Sequence, residues 1–318
     1  MFNYSESSRS DWCIVQVDDH GSGWSSSPEG QPAPVQYCRV AEAATPLQKS
    51  LHRAGSVAPG SQIMVTAFEE YRHLWEPSLW FVRPERRFVC DNRAASLLSS
   101  AAAILAVAAH SPSNVITILP ARCAVVHEWV LRRALKRASA ELPNVTEGAI
   151  TLGMIDPEEG IDEDYLVVGK ARSGPGSCVE GYARRPVPWV ARHLKHGGAL
   201  VSSGIMIGYA GVFAAHVSKH WPGVAKKLAQ VISAAAIAEE ECEVPSSLNR
   251  GVPTAVLHSL RWHPPAFPQR VFEVCNSGWS GLKSARAIAR VSHYRSSTPD
   301  ATRLGSVGKS AKLSASGY

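Results

Sequence analysis

One continuous apolar run, Val115-Ile116-Thr117-Ile118-Leu119, ends at Pro120 without a polar residue on alternate positions. A strand written this way offers no face to water. Both of its faces must be covered, which is the condition of a central strand in a parallel sheet. A second run, Cys13-Ile14-Val15 with Val17, has the same character near the start of the chain. Strands are expected at 12–17, 61–66, 79–82, 114–119, 148–154, 164–168, 178–183 and 200–207. Helices are expected between and after them, at 45–54, 67–75, 94–109, 125–141, 187–197, 209–219 and 222–241. In 125–141, for example, Val126, Val130, Leu131, Ala134, Leu135 and Ala138 recur at helical spacing, with Arg132, Arg133, Lys136 and Arg137 on the other positions. This alternation predicts an α/β chain with an open, mostly parallel central sheet and helices on both faces. Ligands in such sheets bind beyond the carboxyl ends of the strands, so the loops after residues 17, 119 and 207 are the places to look.

The 318 residues suffice for one large domain with ample core, and 45% hydrophobic content with 19% charge is that of a globular chain. The expected division is a disordered polar N-terminus over 1–11, one domain over 12–294, and a disordered basic Ser/Gly-rich tail over 295–318. Residues 20–34 are rich in Gly, Ser and Pro and read as a loop. No apolar run reaches the roughly 18 residues that span a bilayer, and the first residues lack an apolar signal core. The expected location is therefore cytoplasmic, with no membrane partner. Cysteines at 13, 38, 90, 123, 178, 242 and 275 show no zinc spacing and read as reduced thiols. The net charge of +6 is dispersed in pairs such as Arg86-Arg87 and Lys226-Lys227, with no nucleic-acid motif, so no nucleic-acid partner is expected. His127-Glu128 lacks a second histidine at zincin spacing and reads as helix surface. The acidic run from Asp156 to Asp164 lacks calcium-loop spacing and reads as a solvated loop.

Several segments, taken in order, resemble a known family. Trp12 to Trp24 is a strand followed by a Gly- and Ser-rich turn. Val35-Gln36-Tyr37 with Leu47-Gln48-Lys49-Ser50-Leu51 is similar to Pro-Lys-Gln-Phe and Leu-Gln-x-Thr-Leu segments. Asn92-Arg93 precedes an Ala-rich stretch, and Ile118-Leu119-Pro120-Ala121 resembles a strand end written Leu-Pro-Ala-Asp-His. Thr151-Leu152-Gly153, Val179 to Pro186, Leu200 to Gly204 and Trp279-Ser280-Gly281-Leu282 continue the series. Together, from about Trp12 to about Val291, they resemble the sugar-nucleotide pyrophosphorylases, and among them the mannose-1-phosphate guanylyltransferases. The resemblance implies a Rossmann-like nucleotidyltransferase domain. It also implies a reaction in which a sugar phosphate attacks a nucleoside triphosphate and expels pyrophosphate with the help of Mg²⁺.

This chain departs from that chemistry at the positions that perform it. The family's phosphate-wrapping glycine pair aligns with Asp18-Asp19, and the arginine of its loop with Gly23. Its two metal-binding aspartates align with Arg122 and Gly281, and the histidine beside the first with Cys123. The lysine on the sugar phosphate aligns with Arg185, its neighbouring glutamate with Arg184, the lysine of Pro-Lys-Gln with Val35, and the asparagine of Asn-Ser-Gly with Ser202. Glu163-Asp164-Tyr165 stands where the family has Gly-Tyr-Gly-Tyr. Two carboxylates facing a triphosphate repel it, and a fixed guanidinium at a metal position opposes a metal ion.

The residues left to bind a nucleotide or sugar phosphate are Gly21, Ser22, Gln36, Arg93, Arg122, Arg185, Ser202, Ser203 and Gly204. Arg93 reads equally as a phosphate ligand or a helix-entry cation, Ser203-Gly204 as a sugar pocket or a tight strand end, and Trp279 as a pocket wall or a core aromatic. Arg184 and Arg185, taken as consecutive strand residues, point to opposite faces. No catalytic residue is assigned and no cofactor is expected, with Mg²⁺ needed only if the chain is active and Asp18 and Asp19 then its available ligands. Three readings follow. One is a pyrophosphorylase-like protein that does not catalyse and binds a sugar nucleotide of the GDP-mannose type, a nucleoside triphosphate or a protein partner. The second is a divergent active nucleotidyltransferase making GDP-mannose. The third is an interaction protein or homo-oligomer with no ligand in the cleft. If Asp18 and Asp19 face Arg122 across the cleft mouth, the three groups are expected to pair.

Overall fold

The computed structural model describes residues 10–17, 24–26, 32–40, 43–91, 96–145, 147–155, 163–169, 176–249 and 267–297. The strands are β1 (Asp11–Gln16), β2 (Trp24–Ser26), β3 (Pro32–Pro34), β4 (Ile63–Phe68), β5 (Arg87–Cys90), β6 (Val115–Pro120), β7 (Ala149–Met154), β8 (Tyr165–Val168), β9 (Ser177–Ala183), β10 (Leu200–Tyr209), β11 (Cys242–Val244) and β12 (Gln269–Val274). The helices are α1 (Pro46–Gly55), α2 (Arg72–Trp75), α3 (Ser96–His110), α4 (Glu128–Glu141), α5 (Pro188–His196), α6 (Ala210–His220), α7 (Pro222–Ala238) and α8 (Ala285–Ser297).

Ten strands form one sheet in the order β11-β5-β4-β1-β6-β10-β7-β12-β9-β8. From β11 to β6 every pairing is parallel. Val15, Ile116 and Ile118 lie on its interior strands and are fully buried, as their apolar runs require. Beyond β6 the sheet is mixed, which corrects the expectation of a mostly parallel one. β10 runs antiparallel to β6, β7 and β8, β12 parallel to β7, and β9 antiparallel to β12 and β8. The long β10 pairs with β8 through its first residues and with β6 through its last, and its register against β7 shifts between Ser202 and Met206. Gly204 takes φ +74° at that bulge, a conformation glycine adopts without strain.

The apolar run 79–82 is not a strand. Its Leu79 and Val82 are buried, but Trp80 is 84% exposed, and the chain there turns between Pro77 and Pro84 before β5. Residues 63–68 are strand, so the helix expected at 67–75 shrinks to a tight turn and the four-residue α2. Strands β2 and β3, which pair within the expected loop 20–34, strands β5, β11 and β12, and helix α8 are additions to the sequence reading.

Two groups of helices pack on the sheet. α3, buried along most of its length, lies against β1, β4 and β5 and packs on α6 and α7. α1 packs on β1 and β6, and α4 on β10 and β12. α1 starts at Thr45, whose hydroxyl accepts the Gln48 N–H while Gln48 Oε1 accepts the Thr45 N–H, with Pro46 at the first helical position. The seven cysteines are free thiols, with Cys178 and Cys275 exposed and the rest buried. No helix among the described residues is long and apolar enough to cross a membrane.

Candidate functional site

The carboxyl end of β6 is the natural place for a ligand site, and the chain there is stitched to a distant segment. Ala121 N–H donates to Gln16 O of β1 at 2.8 Å. Ala124 and Ser280 exchange two backbone hydrogen bonds, both 2.9 Å, and Val126 and His127 donate to Ser277 O. The segment carrying Gly281 is thereby fixed beside the turn carrying Arg122. The two positions at which the family resemblance places metal-binding aspartates therefore converge.

A group of charges meets there. Arg122 is 3% exposed. Glu163, just before β8, is 4% exposed, and its Oε1 accepts the Gly281 N–H at 3.2 Å. The Lys283 ammonium lies 3.1 Å from Glu163 Oε2 and 3.0 Å from Asp164 Oδ2. Burial pushes the Glu163 carboxyl above its ordinary range, against the opposing pull of Lys283, the Gly281 N–H and the Arg122 charge. Asp164 goes the other way. Burial pushes it up, but Lys283, the Tyr182 hydroxyl and the Arg185 N–H together outweigh burial and hold it below the usual carboxylate range. The sequence predicts a solvated acidic run. Of its last two members, Glu163 is instead buried and Asp164 half-buried, and both are paired, because the strand they precede carries them against the 277–283 segment. Residues 156–162 lie outside the described part.

Gly281 matters for space rather than for conformation. A Cβ there would lie 2.7 Å from both Glu163 carboxylate oxygens, closer than real contacts allow. The Glu163 carboxylate thus fills the room that a side chain at 281 would take.

The expected binding residues divide into three groups. Asp18, Asp19, Gly21, Ser22 and Arg93 lie outside the described residues, and with them the expected pairing of Arg122 with Asp18 and Asp19. Arg122, Arg185 and Ser202 come together around Glu163 and Asp164, the last two through their backbones. Arg185 N–H donates to Asp164 Oδ1 at 3.1 Å and Ser202 N–H to Asp164 O at 2.8 Å. β9 ends at Ala183, so Arg184 and Arg185 follow the strand rather than alternate along it, and both are exposed. Gln36, Ser203 and Gly204 form the third group and serve the fold. Gln36 is 2% exposed and its Nε2 donates to Val17 O at 3.1 Å. Ser203 Oγ donates to Leu152 O at 2.6 Å and accepts the Ile205 N–H at 3.0 Å, which closes the β10 bulge. Trp279 packs in the main core.

Cys123, at the family's histidine position, turns away from the charge group. Its thiol donates to Pro120 O at 3.4 Å, and Arg53 Nη1 approaches its sulfur at 3.3 Å. Burial pushes the thiol up, with the Arg53 charge opposing, and it stays protonated at neutral pH. Arg53 also donates to Ser50 Oγ and chelates both Glu128 oxygens, 2.8 to 3.2 Å away, so Glu128 is an α4-to-α1 tie rather than plain helix surface.

Mg²⁺ demands near-octahedral oxygen ligands. No group of three or more metal-capable side chains exists among the described residues. Of the two positions at which the family resemblance places metal ligands, one holds a buried guanidinium and the other has no side chain, while the candidate ligands Asp18 and Asp19 lie outside the described residues. The nearby carboxylates are engaged by Lys283. These residues do not fit the metal.

No family model and no curated protein matches this sequence. Among solved structures, the chain is similar to a mannose-1-phosphate geranyltransferase from Thermus thermophilus, with 18% identity, a TM-score of 0.65, and coverage of 89% of this chain and 79% of that one. It is also similar to a mannose-6-phosphate isomerase from Helicobacter pylori, with 16% identity, a TM-score of 0.60, and coverage of 85% and 99%. A structure described as a putative glucose-1-phosphate thymidylyltransferase from Bacillus anthracis matches at 10% identity and a TM-score of 0.50 over 93% and 99%. At these identities the likeness is one of fold, an α/β architecture with a mixed sheet.

Proposed function

We propose that this protein binds a sugar nucleotide of the GDP-mannose type in a nucleotidyltransferase-like cleft, in the cytoplasm, without transferring the nucleotidyl group. The observation that carries the reading is an internal charge group at the positions where the family resemblance places metal ligands: Lys283 meets Glu163 and Asp164, the Arg122 charge acts on Glu163, and Gly281 leaves room for Glu163. Nucleotidyl transfer needs a metal to neutralise charge developing on the phosphates, an effect worth several kcal/mol. A cleft whose cations are already paired retains binding surface and loses that driving force. The fold likeness to proteins named for hexose phosphates supports a sugar-phosphate moiety in the ligand.

The test is a thermal-shift screen of GDP-mannose, GTP and mannose 1-phosphate, each with Mg²⁺ and with EDTA, beside a pyrophosphate-release assay. The expected result is stabilisation by GDP-mannose that does not depend on Mg²⁺, with no pyrophosphate released from GTP and mannose 1-phosphate. Turnover near an ordinary enzyme rate of about 1 s⁻¹ would overturn the reading.

A further inference from the structure

The charge group beside the end of β6 has a feature that simple ion pairing does not require. Glu163 and Asp164 are consecutive, yet one oxygen of each converges on a single point, the Lys283 ammonium. The other oxygen of each is held by a backbone N–H, Gly281 on Glu163 Oε1 at 3.2 Å and Arg185 on Asp164 Oδ1 at 3.1 Å. The carboxylates are therefore aimed by the main chain and not by the lysine alone. Outer hydrogen bonds of this kind orient carboxylates around metal ions. The Lys283 side chain is 13% exposed and the Glu163 side chain 5%, so the meeting point is largely shut from water.

We propose that Glu163 and Asp164 form a cation seat whose resident is the chain's own Lys283, a tethered ammonium holding a place that a divalent ion would fit once the lysine is removed. The charge count supports this. Among the described residues two carboxylates face two cations, Lys283 and the buried Arg122 whose charge acts on Glu163, so these four groups balance. A divalent ion added to it would leave excess positive charge at a buried point, and can enter only if Lys283 leaves. An ammonium is a compact point charge with rotatable donors, suited to oxygens about 3 Å away. A divalent ion would draw the same oxygens in to roughly 2.0–2.6 Å. Gly281 completes the seat, since any side chain there would collide with Glu163. The protein then needs no metal at this point, and removing the lysine uncovers a latent metal site.

This inference does not depend on which ligand the cleft binds, and its test reads stability and ion binding rather than sugar-nucleotide affinity. The full chain and its Lys283→Gln and Lys283→Ala variants are titrated with Mn²⁺ at neutral pH and constant ionic strength, with free Mn²⁺ followed by electron paramagnetic resonance. Lys283→Gln keeps length and a donor, and so keeps the fold if Lys283→Ala does not. The expected result is one more bound Mn²⁺ per chain in the variant than in the unsubstituted protein, in the ~0.1–1 mM range of open carboxylate sites. Lys283→Ala is expected to melt on the order of 5 °C lower in EDTA, with Mn²⁺ returning about half of the loss and leaving the unsubstituted protein unmoved. Adding Glu163→Gln to Lys283→Gln is expected to abolish the extra ion. A Lys283→Gln protein that binds no more Mn²⁺ than the unsubstituted one overturns the proposal, as does extra binding that survives Glu163→Gln.

Discussion

The two halves of the sheet are held together by different means. From β11 to β6 the pairing is parallel throughout, and β4, β1 and β6 bury nearly every residue in apolar surroundings. From β10 to β8 antiparallel pairings are mixed with the parallel pair β7 and β12, β9 is half exposed, β10 carries a bulge, and the charge group sits at the strand ends. In the first half stability is spread over area, so any apolar residue of the right volume serves. In the second it is concentrated in single groups, such as a hydroxyl that closes a bulge or a glycine that admits a carboxylate. Size should therefore govern substitutions on one side, and atom-by-atom partners on the other.

The largest effect is expected in the parallel half. Ile118 is fully buried on β6 between β1 and β10. Ile118→Ala should cost about 2–5 kcal/mol in urea unfolding, and Ile118→Val only about 0.5–1.5, because the cost follows the volume lost. A Val variant as damaging as the Ala variant would break the contrast, since it would make this half as particular as the other.

Gly281→Asp tests the mixed half. Its Cβ falls 2.7 Å from both Glu163 oxygens and adds a third carboxylate, so a loss of about 3 kcal/mol is expected from overpacking and like-charge repulsion. Adding Glu163→Ala should recover most of that loss, a strong non-additivity between touching sites. Additive losses in calorimetry would mean that Glu163 does not occupy that space.

The contrast between the halves also explains what could be read in advance. β1 and β6 were legible because a strand covered on both faces writes its burial directly as an unbroken apolar run. Residues 79–82 wrote the same signal and are a turn, because two prolines bracket them and Trp80 points to solvent. β12 alternates, Gln269-Arg270-Val271-Phe272-Glu273-Val274, but its pairing with β7 rather than with an edge is a matter of topology. At the site, Arg122 and Gly281 were legible as wrong residues in recognisable places. Their partners were not. Glu163 and Asp164 end a run of acids whose composition is that of a solvated loop, and nothing in that composition marks the packing of 277–283 against these two. Lys283 carried no signal beyond lying two residues past Gly281.

Ser203→Ala should cost roughly 1–3 kcal/mol, since Leu152 O and the Ile205 N–H both lose a buried partner. Ser203→Gly would add flexibility at a bulge that already contains Gly204, and should cost at least as much. Equal stability of all three proteins would show that the bulge is held by the backbone alone.

The pH response is smaller, because the two carboxylates act in opposite senses. Glu163 has a raised folded-state pKa, so its contribution is fully present below its unfolded value of about 4.3 and is lost as pH rises through the folded value. Asp164 is lowered, so its contribution is present above about 3.9 and is lost as pH falls through the folded value. Melting curves from about pH 3 to 8 should show that Glu163→Gln removes a decline with rising pH and Asp164→Asn removes a decline with falling pH. The reverse assignment would mean that Lys283 serves Glu163 more than Asp164.

The smallest expected effect sits where fold and function part. Arg185 aligns with a sugar-phosphate lysine in the family resemblance, yet its tie to the charge group is its backbone N–H on Asp164 Oδ1, and its side chain is exposed. Its φ of 39° is left-handed, a conformation that costs a non-glycine residue about 1 kcal/mol. Arg185→Gly keeps the N–H and relieves that strain, while a more flexible unfolded chain takes back a similar amount. Stability should therefore move by less than about 0.5 kcal/mol, unlike every other change at this group. Binding of GDP-mannose should fall about tenfold, near 1.4 kcal/mol, if the guanidinium reaches a phosphate. The two measurements separate cleanly: a large stability loss would make the Arg185 side chain part of the charge group, and unchanged affinity with unchanged stability would remove it from the ligand site.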